Sequence, residues 1–222
     1  MSFSRIYNQA AARKGGEVAL RSLLPRVAEP GELEALGDDR YLSEVTRCVF
    51  KAGFVWRVIE NKWPAFEEAF KGFVPLYWQQ VPPEVLEDLA QDERIVRNMQ
   101  KIRTVPDNAR MIVDGGREYG GFGAFLNHWP SDDQVGLLMW LKRNGARLGG
   151  NTAQYFLRRV GWDGFILSSD VAAGLHREER LDASPGSKKA LVQAQAAFND
   201  WHQETGLPYS HLSRILSYSV GD

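Results

Sequence analysis

The sequence predicts an all-α fold. Helix signals recur along the chain, in which apolar residues repeat at intervals of three or four positions. Alternating runs rich in Val, Ile and Thr, which would indicate strands, are scarce. The pattern contains no internal repeat of solenoid length and no low-complexity tract. The helical spacing is clearest at Leu42, Val45, Val49 and Ala52.

Composition limits the class of protein. The 222 residues, 44% of them hydrophobic, suffice for one large domain or two small lobes. Cys48 is the single cysteine, which excludes an intramolecular disulfide and a metal site built from several thiolates. The apolar runs are too short to span a bilayer, and residues 1–16 lack the apolar centre of a secretory signal. We therefore expect a soluble, cytoplasmic protein without a membrane partner.

Three helices are predicted in the first half of the chain. Residues 38–53 begin with two acids and end at a glycine, as helices commonly do. Residues 55–63 predict a second helix, which should end before Pro64 because proline disfavours the helical conformation of the preceding residue. Residues 82–91 predict a third helix, since prolines precede its first turn and acids follow early.

The second half of the chain adds further helices, giving about ten in all. Residues 98–116 predict two helical pieces hinged at Pro106. Residues 131–145 predict a helix with Ser131 as its N-cap and a glycine at its end. The chain closes with a polar linker at 181–189 and predicted helices at 190–206 and 209–219.

Residues 147–171 combine a pair of adjacent glycines, a predicted helix and, at the end of an apolar run, the acid Asp170. The glycine pair at 149–150 precedes a helix start at Thr152, and backbone N–H groups at such a turn attract an anion such as a phosphate. The preceding helix ends with Lys142 and Arg143, so cations lie beside these amides although the net charge of the chain is only −1. The alternative is an ordinary solvated helix end beside a charged surface.

The hairpin and the acid that follows it resemble the helix-hairpin-helix motif of DNA glycosylases. In that superfamily, glycines precede a Thr-Ala pair and a helix, and an apolar run then leads to the catalytic aspartate. Thr152, Ala153 and Asp170 occupy these places here. Other segments, in the same order along the chain, are similar to the DNA-3-methyladenine glycosylase I family. They are AGFVW at 52–56, FEEAFKGF at 66–73, IVRNMQKIRTVPDNAR at 95–110, GAFLNHWP at 123–130 and LKRNGARLGGNT at 141–152.

This resemblance implies the helix-hairpin-helix glycosylase fold, with two helical lobes around a cleft. It implies a single glycosylase-like unit over residues 1–222 that acts as a monomer, with the hairpin motif at about 134–160. Residues 1–40 and 185–222 would then be helices that pack on the same body.

The implied activity is that of a monofunctional hydrolase of N-glycosidic bonds in DNA. Such an enzyme of base excision repair rotates a damaged base out of double-stranded DNA and releases it, and alkylated purines of the 3-methyladenine kind are the expected substrates. Asn151 stands where bifunctional members carry a lysine nucleophile, which favours simple hydrolysis. Asp170 is the expected catalytic residue, which would stabilise the cationic sugar or orient a water molecule. Its alternative role is to cap the helix that follows.

A base pocket and a wedge are implied near the end of the first predicted helix. Trp56 matches the residue that stacks on the extruded base, and Phe54 beside Gly53 matches the segment that enters the duplex. Cys48 stands where the family has the glutamate that recognises the base, so a narrow specificity for 3-methyladenine does not transfer. Tyr155 completes the candidate pocket, and core packing is the alternative for these aromatic residues.

Departures from the family change what is expected of bound ions. The cysteines and histidines that hold its structural zinc are absent, so we expect no zinc and no other cofactor. Arg147 occupies the place of the first hairpin glycine, and a monovalent cation at the hairpin stays an open alternative. The lost glutamate and the altered hairpin also leave open a second function, that of a catalytically reduced DNA-binding or damage-sensing protein. The expected phosphate-binding residues are Lys142, Arg143, Arg147, Leu148, Gly149, Gly150, Asn151 and Thr152.

Overall fold

The computed structural model describes residues 2–29 and 31–220, and this part of the chain contains helices but no β-strand. The all-α prediction is therefore confirmed. The described residues form fifteen α-helices rather than the ten or so predicted, and most of the additional ones are helices of only four to six residues. The helices are α1 (Phe3–Arg13), α2 (Glu17–Ser22), α3 (Glu32–Ala35), α4 (Asp38–Lys51), α5 (Trp56–Ala69), α6 (Pro75–Trp78), α7 (Pro83–Leu89), α8 (Met99–Ile102), α9 (Thr104–Gly116), α10 (Phe122–His128), α11 (Gln134–Asn144), α12 (Thr152–Val160), α13 (Ser169–Arg177), α14 (Lys188–Thr205) and α15 (Tyr209–Tyr218), with one 3-10 turn at Lys71–Phe73.

The chain forms two compact units. The first comprises Met1–Ala28, Pro130–Leu137 and Gly161–Asp222, and the second comprises Glu29–Trp129 and Leu138–Val160. Residues 1–40 are therefore divided between the units. The description of residues 1–222 as a single glycosylase-like unit stays a prediction.

The first unit is built on α1, α13, α14 and α15, which pack against one another. Its core includes Phe165 and Phe198, whose rings stack with centroids 5.0 Å apart. The side-chain amide of Gln134 donates to the carbonyl of Phe165 at 2.8 Å and accepts from its N–H at 2.8 Å. This buried pair fixes the extended segment that leads to α13, because both backbone groups of Phe165 are satisfied there.

The second unit is organised around α4, which packs against α5, α9, α10 and α12. Beside it, aromatic rings stack nearly parallel, as in the pair of Trp63 and Phe66 at 4.9 Å and 11°. Phe70 and Phe73 continue the stack at 5.0 Å. Such a cluster gives α4 and α5 a rigid support, since closely packed side chains in a protein interior resist deformation.

The predicted end of α5 is wrong, because Pro64 lies inside the helix. An interior proline removes one backbone hydrogen bond and costs about 3 kcal/mol. Tertiary contacts on both sides of the proline offset that cost. The indole Nε1 of Trp63 donates to Oε1 of Glu67 at 3.0 Å and to Oγ of Ser43 at 3.2 Å, and Phe66 is fully buried.

Two other helix boundaries differ from prediction. The hinge between α8 and α9 is at Arg103, and Pro106 lies in the first turn of α9, where a missing N–H leaves no helical bond unmade. The helix predicted from Ser131 begins at Gln134. Oδ1 of Asp133 accepts from the N–H of Gly136 at 3.0 Å, so Asp133 provides the cap expected of Ser131.

No helix in the described part of the chain is long and apolar enough to cross a membrane.

Gly123 marks the closest approach of α10 to α3. A Cβ atom built there would lie 1.9 Å from the carbonyl oxygen of Leu33, which also accepts a hydrogen bond from the hydroxyl of Tyr41 at 2.7 Å. We expect Gly123→Ala to lower the free energy of unfolding by about 1–3 kcal/mol, because backbone atoms must move apart. Denaturant titration measures this change. Gly186→Ala is the matched control, since a Cβ there meets no atom within 4 Å; an equal effect of both substitutions would contradict the prediction.

Candidate functional site

A cavity of about 280 Å³ opens in the second unit, where the end of α4, the start of α5 and the first turns of α12 meet. Three residues of the predicted pocket, Cys48, Trp56 and Tyr155, line it. Asn151 and Thr152 line it as well, and they directly follow Gly149 and Gly150, which form the glycine turn before α12. The complete lining is Cys48, Lys51, Ala52, Gly53, Trp56, Asn151, Thr152, Tyr155 and Arg159. The structure thus brings together residues more than a hundred positions apart in sequence.

Two aromatic side chains form one side of this cavity. Trp56 is 49% exposed, and its ring meets that of Tyr155 edge to face, with centroids 5.3 Å apart and planes at 85°. The alternative of core packing therefore does not apply to Trp56. The hydroxyl of Tyr155 makes no hydrogen bond with any residue that the structure describes. A half-exposed indole and an unpaired phenol are thus both available to a ligand.

The loop after α4 is held by a lysine that sequence reasoning did not single out. Lys101, 8% exposed, donates through Nζ to the carbonyls of Phe50 at 2.9 Å and of Ala52 at 2.7 Å. Burial lowers the pKa of this amine. Gly53 follows with a φ of +68°, and Phe54 is 42% exposed beyond it. The lysine therefore satisfies the last carbonyls of α4 and sets the direction in which the loop leaves the helix.

An ionic cluster supports the cavity wall. Arg159 binds Glu44 at 2.5 Å and Glu60 at 3.6 Å, and Lys51 pairs with Glu60. Arg47 joins the same acids at 3.2 and 3.6 Å. Lys51 and Arg159 line the cavity, although the sequence predictions did not include them. Their helical spacing from Cys48 and Tyr155 was the available signal, because residues three or four apart share one face of a helix.

Cys48 contributes a neutral thiol to the cavity. It is 4% exposed, and burial raises the pKa of its thiol from 9.0 to about 12. The thiol therefore accepts hydrogen bonds only weakly and is a poor nucleophile at neutral pH. Because the folded-state pKa is raised, the stability that the neutral thiol contributes is complete below pH 9 and is lost as the pH rises towards 12.

We expect alkylation of Cys48 by iodoacetamide at about pH 8 to be at least roughly a hundredfold slower in the folded protein than in the unfolded chain. The reason is that burial both reduces the thiolate fraction and blocks access. Mass spectrometry follows the reaction without ambiguity, since the chain has one cysteine. Equal rates in native buffer and in denaturant would refute the assignment of a buried, neutral thiol.

The glycine turn before α12 exposes backbone donors. The amides of Gly149 and Gly150 bond to no residue within the described ranges, and a Cβ at either position would meet no atom within 4 Å. Leu148, 2% exposed, anchors the turn in the core. Arg147 has a φ of +59°, the left-handed conformation that favours glycine. Its Nη2 donates to Oε1 of Gln100 at 2.8 Å, which holds the side chain beside α8.

Polar side chains beside the turn complete this surface. Lys142 and Arg143 at the end of α11 are exposed and form no ion pair with any described residue. Asn151 is also exposed, and its Oδ1 accepts from Nε2 of Gln154 at 3.1 Å. The N–H of Thr152 donates to the carbonyl of Gly149 at 3.3 Å. Two unpaired cations and two free amides thus lie close together in sequence around the turn.

Asp170 belongs to the first unit and is the second residue of α13. The cap of this helix is Ser168, whose Oγ accepts from the N–H of Val171 at 3.3 Å, so the alternative role of Asp170 as the N-cap is wrong. The carboxylate is exposed and makes no hydrogen bond or ion pair with the residues that the structure describes. It is therefore free to interact with a ligand.

Comparison with known proteins identifies the family. The model of the methyladenine glycosylase family matches residues 34–156, which is more than half of the chain. The chain belongs to the methyladenine glycosylase family. The matched part includes most of the cavity lining and the glycine turn, whereas Arg159 and Asp170 lie beyond it.

Solved structures of DNA glycosylases have the same fold as this methyladenine glycosylase family member. The Staphylococcus aureus 3-methyladenine DNA glycosylase I is 24% identical, with 70% of this chain and 90% of that chain covered and a TM-score of 0.51. The Methanocaldococcus jannaschii 8-oxoguanine glycosylase/lyase, solved with DNA containing 8-oxoguanine, is 17% identical, with 96% of both chains covered and a TM-score of 0.57. The predicted helix-hairpin-helix glycosylase fold is confirmed.

The described residues do not offer a donor set that fits a structural zinc. In residues 2–29 and 31–220, no three His, Cys, Asp or Glu side chains come together in a way that would hold a metal ion. The single cysteine is enclosed among cations and aromatic groups at the cavity. The expectation that this family member binds no zinc stays a prediction, which elemental analysis of the purified protein tests.

Proposed function

We propose that this chain is a monofunctional DNA glycosylase that holds an extruded, damaged base in the cavity at Trp56. The observation that carries the proposal is that the exposed indole and the hairpin residues Asn151 and Thr152 line one cavity. Its volume of about 280 Å³ is just below the range of roughly 300–1,000 Å³ found for larger ligands, which suits a single base. Membership of the methyladenine glycosylase family supports the same conclusion.

Base flipping accounts for the exposed aromatic side chains at and beside the cavity. An enzyme that cleaves a glycosidic bond in duplex DNA must first rotate the nucleotide out of the stack. Stacking of the base on Trp56 repays about 1–3 kcal/mol of that cost. Phe54, exposed after the left-handed turn at Gly53, is the wedge that fills the gap left in the duplex.

The hairpin fixes the DNA strand. The free amides of Gly149 and Gly150 donate to a phosphate, and the unpaired cations Lys142 and Arg143 lie on the same segment. Arg147 adds a third charge beside the turn. These contacts position the backbone without reading the sequence of the DNA, so the lesion alone determines where the enzyme acts.

The chemical step is hydrolysis. Water attacks the anomeric carbon, and the bond between that carbon and the base nitrogen breaks with its electron pair passing to the base. A neutral base also takes up the proton that the water loses, whereas a cationic N-methylpurine leaves as the neutral base and that proton passes to solvent. The Asp170 carboxylate stabilises the positive charge that develops on the sugar, or orients the water. Asn151 has no amine with which to form a Schiff base, so the products are a free base and an abasic site.

The candidate substrates are alkylated and oxidised bases. The family is that of methyladenine glycosylases, and one solved structure of the same fold was determined with DNA containing 8-oxoguanine. The sequence resemblance alone favours alkylated purines, since a cationic base stacks well on a free indole. In this cavity, however, Lys51 already lies over the ring of Trp56, 5.2 Å from its centroid.

Mass spectrometry of the bases released from alkylated, oxidised and deaminated DNA tests this function. We expect the wild-type protein to release at least one class of damaged base and to leave abasic sites without strand cleavage. Retained binding to damaged DNA without release of any base would instead favour the alternative, a damage-sensing protein.

A further inference from the structure

The charged lining of the base cavity is entirely cationic in the part of the chain that the structure describes. Lys51 and Arg159 line the cavity, and no carboxylate does. The acids that balance them, Glu44 and Glu60, are engaged in ion pairs with these cations and with Arg47. The cluster contains three cations and two acids, so a ligand in the cavity meets an excess of positive charge.

Lys51 also occupies the position in which a cationic ligand would gain most from the indole. Its Nζ lies over the ring of Trp56, 5.2 Å from the centroid, within the distance of a cation–π contact. Lys51 is only 7% exposed and is tied to Glu60, so the ammonium cannot easily move away. A positively charged base on Trp56 would add a second charge beside the first, which is unfavourable where water is partly excluded.

The polar groups that face the cavity are mainly hydrogen-bond donors. Lys51 and Arg159 have no acceptor atoms, and the side-chain NH2 of Asn151 is free to donate while its Oδ1 accepts from Gln154 at 3.1 Å. The hydroxyl of Tyr155 is free. At Cys48, where a carboxylate would favour a cationic base, burial keeps the thiol neutral by raising its pKa.

We propose, on the basis of the proposed glycosylase function, that this cavity selects neutral damaged purines that carry an exocyclic carbonyl oxygen, formed by oxidation or deamination, over cationic N-methylpurines. Lys51 and Arg159 are the specificity-determining residues. Their donors hydrogen-bond to the carbonyl oxygen of the base, and their charge repels a methylated, cationic base.

The test uses the full-length protein and matched DNA duplexes that contain a single hypoxanthine, 8-oxoguanine or 7-methylguanine. Equilibrium binding and single-turnover release are measured for each duplex. We expect the wild type to prefer at least one of the carbonyl-bearing neutral bases over 7-methylguanine by about tenfold or more in binding. Lys51→Met and Arg159→Gln should each reduce this ratio severalfold, and two variants are used because Lys51 is buried. Arg57→Gln is the control, since Arg57 is an exposed cation of α5 outside the cavity lining, and it should leave the ratio unchanged.

The two proposals fail in different ways. The proposed selectivity would be overturned if the wild type bound 7-methylguanine more strongly than the neutral bases, or if neither cavity variant changed the ratio of the two affinities. Release of any base would still uphold the glycosylase function in that case. Absence of release from every duplex would overturn the glycosylase function, and the binding ratios would still decide the selectivity.

Discussion

Asp170→Asn should lower the single-turnover rate of base release by about a hundredfold to a thousandfold, or more. The amide has the same shape as the carboxylate but lacks the negative charge that stabilises a cationic sugar. Asp170 is exposed and has no partner among the described residues, so the substitution breaks no internal contact. The substitution removes only the favourable interaction of a negative charge with the N-terminus of α13. This loss should lower the free energy of unfolding by less than about 1 kcal/mol.

The matched control is Asp200→Asn in α14 of the same unit. Asp200 is an exposed acid with one surface ion pair, to Arg180 at 2.9 Å, and such pairs contribute about 0–1 kcal/mol. We expect this variant to release bases at the wild-type rate. The Asp170→Asn protein should bind damaged DNA with the affinity of the wild type. If it also released bases at the wild-type rate, Asp170 would have no part in the mechanism.

The parts of the fold that the sequence predicts well are those in which local signals and packing agree. In α4 the acids at the start and the apolar stripe both indicate the helix that the structure contains, which ends at Lys51. In α5 they disagree, because Pro64 predicts an end that long-range contacts of Trp63 override. The cap at Asp133 was missed for a simpler reason. Several consecutive residues there can cap a helix, and only the backbone geometry selects one.

The candidate site shows a similar division. Trp56 and Tyr155 were found through their family motifs, and both line the cavity. Lys101 was not found, since its contact with the carbonyl of Phe50 joins positions 51 residues apart and nothing local in the sequence indicates it. Lys51 and Arg159 were missed because each resembles an ordinary cation on a solvated helix surface. The charge of the cavity could therefore not be predicted from motifs alone.

Trp56→Ala should reduce kcat/KM for the preferred lesion by roughly 5- to 150-fold, which corresponds to the loss of about 1–3 kcal/mol of stacking. Trp56→Phe should recover part of this loss, since a smaller ring still stacks. The effect on folding should be modest, because Trp56 is 49% exposed and its ring contacts are with Tyr155 and Lys51. Kinetics of release and denaturant titration measure the two effects separately.

Tyr119→Ala provides the control for loss of an aromatic side chain. Tyr119 is 43% exposed, lies in the same unit and meets the rings of Phe125 at 5.6 Å and His128 at 5.3 Å, so it is a comparably exposed aromatic residue outside the cavity lining. If stacking on the extruded base is the role of Trp56, Tyr119→Ala should change stability by a similar amount and leave kcat/KM intact. Equal losses of kcat/KM in the two variants would mean that the effect arises from unfolding, and the assignment of Trp56 to the base would have to be abandoned.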